Sequence, residues 1–548
     1  MSDQRYDGAA TVQVETVAVA AVARSPRAGF VPVRANRVRD GAAVVLLVAA
    51  LLLPWNLEFG VGIPGSDGPL FVGLAVVTLL AVGAALAPHV GPFRLAVADA
   101  DARRTSRIRL LLSVIYLFVI LGFVGFHVLQ TARNAGTGAV APGIGPGMLL
   151  GTAGALLVAQ PPITSITIEG NRFRRWYAVV RVIGFVSIVF ATLAVAFNVY
   201  WRLRYLFVAD IDFGGHDIAV IVSTLLYGAT ALIALVIASR WLTETTAAAR
   251  LAATAVGASG AVASVVVWLL GVGRDIDAFH GIAQNTSTAA VGYEGYLAWV
   301  VAAAIVAPTT LYAVFLIKPP TLGAYRGAAQ KCLALIAFWA FAAAGLRIVD
   351  YLIAASLDLP RALYDSAAMA AFDLVTAFVA RWLHRQLGRA SLSSVVAAAF
   401  SAVLFVFTVA DVAIGVALAP RYAAPMPTAV FGNNLVQQIT STFDVVMCVV
   451  SLIVLAALLI TGPLAGYLTR RQVKVATSQA TEQAREAPDL AAPPTIARRP
   501  RPTAVPRIVR LKEDSTTVLA APPTTELAAP TLRIQRRPSA PRPPHQNG

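Results

Sequence analysis

Five ionisable residues fall in four apolar stretches near the carboxy-terminal third of this 548-residue chain. Arg347 and Asp350 share one stretch, Asp373 lies in the next, Asp411 in the third and Asp444 at the mouth of the fourth. Charge at membrane depth costs about 2.5–3.5 kcal/mol on insertion scales, so it normally faces a bundle interior or water and marks a pathway. Arg347 and Asp350, three apart, share a helix face that Tyr351 flanks. An arginine among several carboxylates could hold an anion, relay protons or coordinate a coupling cation. The plainer reading is a single interhelical pair, Arg347 with Asp373 or Asp411, that only fixes packing. Acids outnumber the one base, so at least one carboxylate lacks a cationic partner.

A second constellation lies in two polar segments. DIDFGGH contains Asp210, Asp212 and His216, and DIDAFH contains Asp275, Asp277 and His280. Alternate residues of an extended Asp-x-Asp project to one side, and carboxylates with imidazole suit a divalent cation. No other cofactor is evident. Asp-x-Asp also resembles the metal and sugar-phosphate motif of many glycosyltransferases. Membrane-embedded members using polyprenyl donors usually carry their key acids in the first outer loop, where this chain has only the separated Glu58 and Asp67.

The elements that position these residues follow from composition. The chain is 57% apolar and only 13% charged, and crossing a hydrocarbon core of about 30 Å takes roughly 20 helical residues. Hydropathy predicts an all-α transmembrane bundle of twelve spans: 41–60, 69–90, 109–130, 143–163, 177–201, 218–239, 251–272, 296–317, 332–355, 367–380, 394–419 and 445–468. Residues 1–40 form a basic cytoplasmic segment with no clean signal peptide, since Asp3, Asp7 and Glu15 interrupt it. Residues 469–548 form a disordered Pro- and Arg-rich tail in which LAAPPT recurs.

Charge bias sets the orientation. Loops assigned to the cytoplasm hold sixteen basic residues, including Arg109, Arg174, Arg250 and Arg381, against six outside. Both termini are therefore expected in the cytoplasm. Trp55, Trp176, Tyr200, Trp201, Trp241, Tyr296, Trp382 and Tyr467 fit an interfacial belt at span ends. Counting about 1.5 Å per residue puts Arg347, Asp373 and Asp411 in the outer third.

Within this plan the fourth span stands out, punctuated by Pro142, Gly143, Gly145, Pro146, Gly147, Gly151, Gly154, Pro161 and Pro162. Such backbone is tolerated at depth only where protein or a water-filled cavity covers it. A re-entrant fourth span would reverse the arginine bias, so a broken span is expected. Faint correspondences relate the two sets of six. DIAVIVS from Asp217 opens span six and DVVMCVVS from Asp444 opens span twelve, Asn198 matches Asp411, and the interrupted span four matches the short span ten. Interrupted or short segments at matching positions point to a transporter's binding site.

The formal charge of +16 does not point to nucleic acid, because it concentrates in tails beside a membrane, where anionic inner-leaflet lipid is the cheaper partner. The tail also offers Ser515, Thr516 and Thr517 for docking or phosphorylation by a cytoplasmic protein. Cys332 and Cys448 fall in spans too far apart for a disulfide. There is no GxxxxGK[ST] loop, no major-facilitator loop motif and no Ser-His-Asp set at one depth.

The stretch LLLPWNLEFGVGIPGS, Leu51 to Ser66, together with the twelve-span plan and the basic tail, resembles a group of uncharacterised actinobacterial, mycobacterial-type multi-pass membrane proteins. The resemblance implies a bacterial plasma membrane and carries no activity or site residue. The first expectation is a transporter of the cell envelope with Arg347, Asp350, Asp373, Asp411 and Asp444 lining a polar pocket opposite Asn198. A transferase acting on lipid-linked sugar through the Asp-x-Asp loops and a non-catalytic scaffold acting through the tail are the alternatives.

Overall fold

In a computed structural model the described residues are 27–55, 68–89, 99–134, 145–163, 173–203, 213–269, 292–312, 322–358, 363–389, 392–418 and 442–462. They belong to the first of two units, Met1–Thr477 and Ser478–Gly548. Every regular element among them is helical. The twelve α-helices are α1 (Arg27–Leu52), α2 (Gly68–Leu86), α3 (Asp99–Asn134), α4 (Pro146–Ala159), α5 (Phe173–Leu203), α6 (Gly215–Thr243), α7 (Ala247–Leu269), α8 (Gly292–Tyr312), α9 (Leu322–Ser356), α10 (Leu363–Arg389), α11 (Ser394–Leu418) and α12 (Thr442–Thr461), and a single 3-10 turn follows α2.

Eight of these, α2, α3, α5, α6, α7, α9, α11 and α12, are long and apolar enough to cross a membrane. This is a multi-pass membrane protein. A helix satisfies its own backbone hydrogen bonds, which lipid cannot do. The outward faces match that solvent: Leu79, Phe118, Leu121, Phe185 and Phe190 are exposed large apolar side chains. The helices also outrun the apolar stretches. Arg103, Arg104, Arg107 and Arg109 lie on α3, and Arg381, Arg385 and Arg389 on α10, rather than in loops.

Each of the twelve expected spans overlaps a helix, eight of them long and apolar enough to cross a membrane, and three features differ from expectation. α1 begins at Arg27, well before residue 41, and buries Arg39 and Asp40. α10 has 27 residues, so it is not a short counterpart of α4; the stretch carrying Arg381, Arg385 and Arg389 is helix and not loop. Trp55, expected in an interfacial belt, is a core residue, donating from Nε1 to Ala50 O and set edge-on to Phe123.

α4 explains its own glycines and prolines. All fourteen of its residues are buried, against α1, α3, α8, α7 and α2. At one end Gly145 N donates to Trp55 O at 2.5 Å and Gly147 N to Pro54 O at 2.9 Å. A β-carbon on Gly145 or Gly147 would collide with the Pro54 or Leu53 carbonyl. At the other end Asn36 and the Ile163 backbone exchange hydrogen bonds of 2.8 and 2.9 Å. Asn36 and Leu52 lie about 24 Å apart along α1. The segment 145–163 therefore runs antiparallel to α1 over that length. A re-entrant hairpin would instead bring both its ends to one end of α1.

α7 and α8 are also in close contact. An added β-carbon at Gly257 would overlap Ala303 Cβ and the Trp299 carbonyl, so the helices must part to admit a methyl group. Gly257→Ala should lower the thermal unfolding midpoint in detergent, with overpacking costing about 1–3 kcal/mol. Gly83→Ala on α2 is the control: nothing lies within 4 Å of its added carbon, and helix propensity favours alanine by up to about 1 kcal/mol. Equal midpoints for the two variants would contradict this packing.

Candidate functional site

Four consecutive helices, α9 to α12, bring the intramembrane charges together. α9 and α10 form the most extensive helix pair in the bundle, and α9 also meets α6 and α12. Gln330 and His384 fasten the α9–α10 pair at one end: Gln330 Nε2 donates to His384 O at 3.2 Å, and His384 Nδ1 lies 2.9 Å from Gln330 O. Further along, Arg347 Nε donates to Asp373 Oδ2 at 2.6 Å, with both side chains under 5% exposed.

Asp411 joins from α11, its Oδ1 3.9 Å from Arg347 Nη2 and its side chain 13% exposed. Asp350, one turn beyond Arg347, accepts a hydrogen bond from the Tyr227 hydroxyl of α6. Asp444 accepts from Trp339 Nε1 at 2.5 Å. Trp339 precedes Arg347 by about two turns, roughly 12 Å. Asp444 is therefore not at a mouth. It starts α12 inside the bundle, buried with Phe443, whose ring lies 4.4 Å from that of Trp339.

This arrangement holds more than a packing bridge. One guanidinium and one carboxylate, Arg347 and Asp373, suffice to tie α9 to α10. Asp411 and Asp350 are surplus, and each has a buried oxygen, Oδ1, without a hydrogen-bond partner. Buried carboxylates need hydrogen bonds or a compensating charge. Such a cluster can take up a proton or a small cation, and the direct Arg347–Asp373 contact can open to an anion.

Other candidates are placed less fully. Asn198 is on α5, its side chain outside what is described. Asp210, Asp212, Asp275, Asp277 and His280 lie outside the described residues, and His216 belongs to α6 by backbone only. Among the described residues no three His, Cys, Asp or Glu side chains could hold a metal ion. Asp217 and Asp444 each occupy the third position of their helix, yet Asp217 caps Gly214 N at 2.8 Å near the surface while Asp444 is buried. α4 packs most on α1, whereas α10 packs most on α9, so the correspondence between halves does not extend to packing.

Residues 36–463 match a family model described as Domain of unknown function (DUF7937). The chain belongs to this family. No curated protein and no solved structure matches it. The matched region of this DUF7937 protein starts within α1, before residue 41, and encloses all the helices that follow.

The DUF7937 region contains a second buried charge cluster that hydropathy alone did not single out. Arg109 of α3 donates through Nη1 and Nη2 to the two oxygens of Asp40, at 2.9 and 2.6 Å, and through Nε to Val158 O at 2.7 Å. Arg39 donates to Asp40 and to Pro161 O, at 3.0 and 2.7 Å. His89 Nε2 lies 2.8 Å from Asp40 Oδ2. The two arginines cap the carbonyl end of α4, where helix dipoles favour cations. Charge bias assigns Arg109 to a cytoplasmic loop, whereas it lies buried on α3. Its place beside an apolar run looks the same in sequence whether the guanidinium meets water or a buried aspartate.

Proposed function

We propose that this protein is a plasma-membrane transporter whose coupling centre is the Arg347, Asp373 and Asp411 cluster, with Asp350 and Asp444 beside it. In this reading all twelve helices cross the bilayer and both termini are cytoplasmic. The excess of arginine and lysine on one set of helix ends supports that orientation, and the full-length antiparallel run of 145–163 along α1 supports counting it as a crossing.

One observation carries the proposal: Asp373 and Asp411, from two helices, meet the Arg347 guanidinium, Asp350 lies one turn further along α9, and Asp350 and Asp411 each keep a buried oxygen without a donor. A packing bridge needs only one acid. Surplus acid in a low-dielectric bundle is balanced by a proton or a cation, which makes the cluster a place where one can be bound and released.

The test uses the purified full-length chain in liposomes loaded with a pH-sensitive dye. An imposed pH or sodium gradient should dissipate faster than in empty liposomes. Asp411→Asn should return the rate to that of empty liposomes while the amount of inserted protein stays the same. Wild-type rates in Asp411→Asn and Asp373→Asn would reduce the cluster to a packing device.

A further inference from the structure

Where α5, the α6–α7 turn and α8 meet, a cavity of about 210 Å³ opens, sharing no residue with the carboxylate centre. On α5, Arg174, Tyr177 and Arg181 recur at three and four residues, so they line one face of that helix. Arg250 enters from α7, its guanidinium 5.0 Å from the centre of the Tyr177 ring, and Trp241 forms an apolar wall from α6. Among the described residues the one acid in the lining, Glu244, is bound by Lys331 at 2.8 Å. Among the described residues the cavity is thus lined by three arginines and by no carboxylate that lacks a cation.

Arg181 sharpens the argument. It lies inside Phe173–Leu193, one of the stretches apolar enough to span, and is flanked by the exposed Val182, Phe185 and Val186. Arg174 and Arg181 form no ion pair among the described residues. A guanidinium in an apolar stretch is costly unless water or an anion meets it.

We infer that this cavity binds a phosphate ester. Guanidinium forks match phosphate oxygens bidentately, and three of them suit a dianion better than a carboxylate, which one arginine satisfies. Drug-sized sites run to roughly 300–1,000 Å³, so the smaller volume here fits a phosphate headgroup or a small phosphate ester better than a nucleotide. Basic pockets between membrane helices are known receivers of lipid headgroups. The same chemistry would receive a soluble phosphomonoester.

Binding to the detergent-purified full-length protein can be measured calorimetrically with three probes: dihexanoyl phosphatidic acid, glycerol 3-phosphate and dihexanoyl phosphatidylcholine. Saturable binding of either phosphomonoester, with phosphatidylcholine much weaker, is the expected result. Arg181→Gln and Arg250→Gln should each weaken it by about tenfold or more, while Arg107→Gln, exposed on α3, should bind like wild type. Binding of the lipid alone assigns the source to the bilayer, and comparable binding of glycerol 3-phosphate assigns recognition to the phosphate itself. If Arg250→Gln does not fold, the exposed Arg174→Gln and Arg181→Gln variants decide. Absence of binding by both phosphomonoesters, or wild-type affinity in Arg174→Gln and Arg181→Gln, overturns the inference and leaves these arginines as side chains that merely reach for the headgroup layer.

Discussion

Arg347→Met should lower the stability of the folded bundle by about 3–5 kcal/mol, the cost of breaking a buried ion pair by removing one partner. Among the described residues Arg347 is the one cation that meets both Asp373 and Asp411. Methionine fills much the same space, so the loss reports charge and not volume. Asp373→Leu should cost less, because Asp411 is already 3.9 Å from Arg347 Nη2 and can move in to replace the lost acid. The double variant Arg347→Met, Asp373→Leu should recover part of the loss, since an apolar pair of similar volume often substitutes for a buried ionic one. Thermal unfolding midpoints and reversible unfolding in mixed micelles check the order. An Arg347→Met protein as stable as wild type would mean that the pair does not exist in the membrane.

Asp40→Ala should be comparably severe, again by about 3–5 kcal/mol, for the converse reason. It removes the one acid among the described residues that holds the buried Arg39 and Arg109 guanidiniums, whose side chains are 2% exposed. The carbonyls of Val158 and Pro161 still accept from them, but carbonyl dipoles do not cancel two like charges. Asp40→Asn should do less harm, because an amide oxygen can still accept from Arg109. The expected order of unfolding midpoints is therefore wild type, then Asp40→Asn, then Asp40→Ala. A reversed order, or none, would rule out an electrostatic clamp.

Much of the architecture was legible in one dimension. An apolar run long enough to cross a bilayer has few alternatives to a helix, and each expected span meets one. The convergence of Arg347, Asp373 and Asp411 was also within reach, because charge in an apolar run has to face its own kind. Depth was less accessible. Asp444 begins its helix, and a residue at the start of a run reads as its mouth; only the Trp339 indole shows that the start is buried. Asp40 and Arg109 were lost for a related reason, since a charge flanking a run counts toward orientation whether or not it is neutralised inside the protein. Arg181 was missed although it carried the same signal as Arg347, a charge within an apolar span. The phosphate-sized cavity needed four separate segments to come together, which no spacing along the chain encodes.

The complete enclosure of α4 bears on how the chain is built. A helix whose every side chain ends up against protein offers the bilayer nothing to keep, and its glycines and prolines make it a poor lodger in lipid. Three of its walls, α1, α2 and α3, are made before it, but α7 and α8 follow only after α5 and α6 have left the ribosome. Between those moments α4 rests on the amino-terminal hairpins alone, held at either end by Trp55 and Arg109. The early half of this protein is thus synthesised as an unfinished socket, and the later half closes it.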